Sequence, residues 1–218
     1  MALAIFDLDN TLIAGDSDHA WGQFLVEENL VDAGLFKEKN DYYYQQYQLG
    51  KLNIMEYLEF ALQPLTTFPR EELFALRKRF VAEKILPLIT PKSRELLAKH
   101  RAAGDYLLII TATNLFVTEP IAAELGVDHI IATEPEQING QYTGKIAGVP
   151  SYKEGKVVRL HNWLAETGHA LDGSYFYSDS HNDLPLLAEV TYPVAVDPDP
   201  TLLAHAQQAG WPVMSLRG

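Results

Sequence analysis

The sequence predicts an α/β fold, a doubly wound and mainly parallel sheet with an α-helical segment inserted after its first strand. Three observations lead there. From about residue 87 onward, short apolar runs alternate with helical patterns, as in a parallel sheet covered by helices on both faces. The first strand, LAIFDL, finds its next central partner, YLLII, only at residues 106–110. A strand–helix–strand unit takes roughly 30 residues, so something stands between them. Residues 18–86 supply it, with amphipathic helical stretches and no convincing strand.

Taken in order, LAIFDL is apolar up to Asp7 and reads as a buried strand. The inserted stretches are SDHAWGQFLVEENLV, FKEKNDYYYQQYQLG, NIMEYLEFAL and PREELFALRKRFVAEKI, and Trp21, Phe24 and Leu25 mark the inner face of the first. Residues 91–103 read as a helix, with Pro91 near its start and Gly104 beyond its end. The strand DYLLIITAT follows, then a helix over 117–125 closed by Gly126, and the strand HIIAT. Asn139-Gly140 turns a hairpin in INGQYTG. A helix over 155–166, the strand SYFYSD, a helix over 183–190, the strand YPVAV, a short helix over 201–209 and a terminal strand in PVMSL complete the chain. The expected organisation is an α/β core over 1–15 and 87–218, with a helical cap over 16–86.

The 218 residues are 47% hydrophobic, enough for a sizeable core. Lys and Arg number 17 against 29 Asp and Glu, and the net charge of -12 argues against nucleic acid or an anionic membrane as partner. There is no Cys, which excludes disulfides, cysteine-ligated metal and cysteine catalysis. The start, MALAIFDLDN, lacks the pattern of a signal peptide, and no run approaches 18 apolar residues. The expectation is a cytoplasmic protein; oligomeric state leaves no signal in the sequence.

Ligands of open parallel sheets bind beyond the carboxyl ends of the strands. Strand one ends in Asp7, Asp9, Asn10 and Thr11; YLLII ends in Thr111, Ala112, Thr113 and Asn114; SYFYS ends in Asp179, Ser180, Asn182 and Asp183. Carboxylates gathered at one mouth raise one another's pKa unless a cation sits among them. An all-oxygen site of this kind suits Mg²⁺ together with a phosphate. Lys156, after Gly155 at a helix start, adds a second positive group.

DLDNTL at 7–12, Thr111 at a strand end, Lys156 at a helix start and SDSHNDL at 178–184 resemble, in this order, the four motifs of the haloacid dehalogenase-like hydrolases. The resemblance spans nearly the whole chain, and a helical insertion between the first two motifs resembles the phosphoserine phosphatase-like branch. It implies a Mg²⁺-dependent phosphomonoesterase acting on a small-molecule phosphate ester. Asp7 is then the nucleophile that forms an aspartyl-phosphate. Asp9, pointing the same way in an extended chain, is the general acid and base. Thr111 and the Ala112 amide hold phosphoryl oxygens, assisted by Asn182, and Lys156 offsets charge. Asp7, the carbonyl of Asp9, Asp179 and Asp183 form or orient the metal shell. Ser178 departs from the family's usual glycine, and Lys153 is a second candidate for the third-motif lysine.

Asp16, Ser17 and Asp18, on the segment entering the cap, are candidates for substrate specificity, since an acid near here can meet a substrate amine in this branch; a helix N-cap explains Asp16 or Ser17 equally well. The rings of Tyr42, Tyr43, Tyr44 and Tyr47 are read first as packing between helices, with a pocket wall as the alternative. His181 is read as loop filler or a supporting contact. Phosphoserine and histidinol phosphate both suit an acidic cap entrance, and histidinol phosphate suits aromatic walls. A phospho-accepting signalling domain is the rival reading, although it needs neither Asp9 nor a cap. A calcium loop in DLDNTLIAGDSD lacks the glycine at its sixth position and the terminal Glu.

Overall fold

β1 (Leu3–Phe6) is buried along its whole length and lies at the centre of the sheet, as its unbroken apolar sequence requires. The computed structural model describes residues 2–217. β1 pairs in parallel with β2 (Tyr106–Asn114) on one side and β5 (Tyr175–Ser178) on the other. With β3 (His129–Ile138), β4 (Gln141–Ala147), β6 (Tyr192–Val196) and β7 (Val213–Met214), the order is β4-β3-β2-β1-β5-β6-β7. Only the β3–β4 pair is antiparallel. This is the α/β sheet that the sequence predicts. The chain winds outward from β1 to β4 and then crosses back to β5. The order therefore reverses between β1 and β5, where open α/β sheets form their ligand sites.

Alternation along the strands divides the core between two faces. Ala4, Phe6, Leu107 and Ile109 point to the face covered by α5 (Pro91–Ala102) and α6 (Leu115–Leu125). Leu3, Ile5, Leu108 and Ile110 point to the face covered by α7 (Glu154–Thr167), α8 (Leu184–Leu187) and α9 (Pro200–Ala209).

The inserted helices are α1 (Ser17–Glu27), α2 (Ala33–Gln48), α3 (Ile54–Leu62) and α4 (Arg70–Phe80). Their apolar residues continue the cluster of the α5/α6 face. Trp21 meets Phe80 and, across the boundary, Phe116 of α6 edge-on, with centroids 5.2 and 5.7 Å apart. Arg77 spans the same seam, donating to the Phe116 carbonyl at 2.8 Å. Trp21 thus joins the insertion to the sheet as well as filling the insertion.

Several boundaries differ from expectation for local reasons. α1 stops at Glu27, short of Val31, and Asn29 beyond it takes a left-handed φ of 57°. α6 starts at Leu115 because the Asn114 side chain caps it, accepting from Val117 N at 3.2 Å. The helix expected over 183–190 shrinks to α8 after one tight turn, His181–Asp183. The hairpin turns where expected, with Asn139 and Gly140 both at positive φ, 52° and 78°. None of the described helices is long and apolar enough to cross a membrane.

Because Phe80 is fully buried in the cluster that spans insertion and sheet, Phe80→Ala should cost about 3–5 kcal/mol. Urea unfolding followed by circular dichroism should then show one transition shifted as a whole, with no early melting of the insertion.

Candidate active site

Beyond Phe6 the chain remains extended at Asp7 (φ -69°, ψ 158°) and then turns tightly through Leu8–Leu12, where Asn10 adopts a left-handed φ of 56°. Asn tolerates that region better than most residues, and its N–H closes the turn on the Gly15 carbonyl at 2.8 Å. Asp7 and Asp9 are consequently both buried and both line one cavity. Their hydrogen-bond partners differ.

Asp7 faces Lys156, the third residue of α7, whose Nζ lies 2.8 Å from Asp7 and 2.8 Å from Asp183. Gly155 lets α7 begin there, because a Cβ at this position would come within 2.1 Å of the Pro150 carbonyl oxygen. The Thr11 hydroxyl lies 3.2 Å from Asp7 Oδ2 and 3.1 Å from Asp179 Oδ1, and accepts the Asp179 N–H. Ser178, at the family's glycine position, donates to Asp183 at 2.7 Å. Lys153 is elsewhere: its backbone has a φ of 50° and its ammonium donates to the Gly50 carbonyl at 2.8 Å.

Asp9 is held by neutral donors. Thr113 reaches Oδ2 at 2.8 Å and Thr111 at 3.2 Å, while the Ser17 N–H, in the first turn of α1, reaches Oδ1 at 2.6 Å. Thr111 and Ala112 line the cavity. Ser17 is fully buried, and its contact with the site is this backbone bond.

Asp16 lines the cavity while capping α1 through His19 N at 2.8 Å. Asn182 turns toward the insertion, donating to the Tyr47 carbonyl at 3.2 Å and accepting from Tyr152 at 3.3 Å. Tyr43, Tyr44 and Tyr47 line the cavity, and only Tyr42 points outward, 54% exposed. Three of the rings thus take the pocket-wall alternative, because α2 lies across the mouth of the sheet, while Tyr43 also packs α2 on α3 against Tyr57 and Phe60. His181 pairs with Asp199 at 2.7 Å.

Burial pushes the Asp7 carboxyl up to about 7; Lys156 opposes the shift, and Asp183 and Asp9 add to it. Burial, with the charge of Asp16, raises Asp9 to about 6. Asp179 stands well above its ordinary value through burial and the charges of Asp7 and Asp183. Burial alone would lower Lys156, but Asp183 and Asp7 outweigh it and hold the ammonium charged. One ammonium thus faces three carboxylates, and a further cation would relieve the surplus.

Among the described residues, no three acidic or histidine side chains converge into a closed metal cage. Mg²⁺ needs none, since it takes one or two carboxylates together with water and phosphate. Asp7 Oδ2 and Asp179 Oδ1, which converge on the Thr11 hydroxyl, are an all-oxygen pair that fits it. Asp183 is turned to Lys156 and Ser178, a position suited to orienting the ammonium.

Sequence reasoning named Thr11, Thr113 and Asn114 as strand-end polar groups and gave them no task. Tyr57, which donates to Asp18 at 2.6 Å, and Tyr152 were missed. Their only signal is tertiary, since Tyr57 and Asp18 lie 39 residues apart in the chain.

The family model described as haloacid dehalogenase-like hydrolase matches residues 4–188, a span from β1 to the end of α8. The chain is 48% identical over 219 residues to a histidinol-phosphatase of Neisseria meningitidis, with 99% of each covered. It is 31% identical over 222 residues to a phosphoserine phosphatase of Mycobacterium tuberculosis, covering 99% of this chain and 71% of the other. The crystal structure of a Bordetella pertussis protein of unknown function aligns with a TM-score of 0.93 at 45% identity, covering 99% of both. The matched span contains every acid of the site from Asp7 to Asp183, and the chain belongs to the haloacid dehalogenase-like hydrolases.

Proposed function

We propose that this protein is a Mg²⁺-dependent phosphomonoesterase for a small amino-alcohol phosphate, working through an aspartyl-phosphate on Asp7. The observation that carries the reading is the separation of Asp7 and Asp9. They line one cavity two residues apart, one beside an ammonium and the other among neutral donors. The first arrangement suits a nucleophile and the second a proton carrier.

In the first half-reaction an Asp7 oxygen bonds to phosphorus as the bond from phosphorus to the alcohol oxygen breaks, and Asp9 protonates the departing oxygen. In the second, Asp9 takes a proton from water as the water oxygen attacks phosphorus. Inorganic phosphate leaves and the Asp7 carboxylate is restored. A carboxyl raised to about 6 keeps a protonated fraction near neutral pH, which this alternation requires. Thr111 and the Ala112 amide hold phosphoryl oxygens, and Lys156, steadied by Asp183, offsets charge on Asp7 and the phosphate. Ser17 and Asn182 act through others, Ser17 by orienting Asp9 and Asn182 by fixing the end of α2. Asp7, Asp179 and the Asp9 carbonyl are the groups that would hold Mg²⁺, which when bound supplies Lewis-acid stabilisation to the phosphoryl group.

The helices of residues 16–86 act as the cap that excludes bulk water and shapes the leaving-group pocket. The enzyme names of the Neisseria and Mycobacterium relatives support a small phosphate ester as the substrate, with histidinol phosphate and phosphoserine as the two chemistries.

With Mg²⁺ present, the wild type should hydrolyse such an ester and Asp7→Asn should not; equal rates would refute the mechanism. Asp9→Asn should lower kcat by about 10²–10⁴. Mg²⁺ should also raise the thermal midpoint of the wild type by binding the folded state. The shift should shrink in Asp179→Asn, a comparison that scanning calorimetry makes without reference to activity.

A further inference from the structure

The cavity has two ends of opposite character. Lys156 stands behind Asp7 at one end. The other, under α2 and α3, is lined by Asp16, Asp18, His19, Tyr43, Tyr44 and Tyr57, and none of the described residues lining the cavity is Lys or Arg. Burial pushes His19 below its ordinary range, against the pull of Asp41. Asp18 is buried, and both its oxygens accept from neutral donors, Tyr57 Oη at 2.6 Å and Asn114 Nδ2 at 3.2 Å. Asp16 is likewise met by a backbone N–H, that of His19.

Asp18, removed from water with only neutral partners, is costly to ionise, and the half-buried Asp16 shares its end of the cavity. Burial raises both to about 7. Each carboxylate oxygen retains a second lone pair, so Asp18 can still accept from a ligand. The rings around the acids add faces that attract cations: Tyr44 stacks on His19 with centroids 4.5 Å apart, and Tyr43 meets Tyr57 edge-on at 5.4 Å.

Resting on the phosphatase reading of this site, we infer that its leaving-group pocket takes a positively charged organic group that carries no carboxylate, with Asp18 as the specificity-determining residue. Phosphoserine offers an amine, but its carboxylate would enter among Asp16 and Asp18 with no guanidinium or ammonium to receive it. Like charges placed together in this way reject a ligand. Histidinol phosphate offers an amine and an imidazole and has no carboxylate, so its charge and its flat ring both match acids set between tyrosines.

The test uses the full chain with Mg²⁺ and three esters: histidinol phosphate, O-phospho-L-serine and p-nitrophenyl phosphate. Wild-type kcat/KM should favour histidinol phosphate over phosphoserine by roughly tenfold or more. Asp18→Asn keeps the size of the side chain and an acceptor for Tyr57. In this variant the ratio of kcat/KM for histidinol phosphate to that for p-nitrophenyl phosphate should fall by roughly tenfold, mainly through KM. The corresponding ratio for phosphoserine should rise, which a folding defect would not produce. Equal or better wild-type hydrolysis of phosphoserine overturns the inference, whether or not the variant folds. Unchanged ratios in a folded Asp18→Asn also overturn it. Hydrolysis of none of the three esters overturns the phosphatase reading itself, and this inference with it.

Discussion

Lys156 Nζ sits 2.8 Å from Asp7 and 2.8 Å from Asp183, and the rest of the site is arranged about that contact. It ties the end of β1, the first turn of α7 and the turn after β5, although Asp7 and Lys156 lie 149 residues apart in the chain. All three side chains are buried, so removing the ammonium leaves two carboxylates unpaired away from water, at about 3–5 kcal/mol. The surroundings reinforce it. Thr11 bridges Asp7 and Asp179, and Ser178 donates to the Asp183 oxygen that Lys156 also reaches. Gly155 permits the close approach of α7 to the loop before it.

The inserted helices are bound to this arrangement by the same logic. α1 carries Trp21 into the apolar cluster of the sheet, and its first N–H groups fall on the acids of the site: Ser17 N on Asp9 and His19 N on Asp16. At the far end of α2, Lys153 and Asn182 of the core donate to the carbonyls of Gly50 and Tyr47. The Lys153 ammonium thereby lies near the negative pole of α2. The pocket walls and the buried acids of the site are therefore fixed by one set of contacts. A change in how the insertion sits would alter both.

The acids also divide the cavity by charge. Those near Lys156 share its ammonium, and those under α2 and α3 meet only neutral donors. A fold held by apolar area, with Phe6, Phe24 and Phe80 fully buried, can carry such unmatched groups.

Much of this was legible in the sequence for identifiable reasons. The apolar runs of LAIF and YLLII gave buried central strands, and the long interval between them gave the inserted helices. Asp7 and Asp9 could be placed together because strand ends gather polar groups whatever the helices do. Lys156 could be named for the third motif because the family resemblance implies a lysine at a helix start, with Lys153 as the second candidate. Periodicity identifies which face of a helix is apolar, but not which neighbour that face meets. Only the tertiary structure could turn Tyr43, Tyr44 and Tyr47 toward the cavity, give Ser17 a backbone task, or point Asn182 at Tyr47. The same holds for the pairing of Asp18 with Tyr57 and Asn114, 39 and 96 residues away. The chemistry at the strand ends was written locally, whereas the selectivity of the pocket arises from how α2 and α3 come to rest over them.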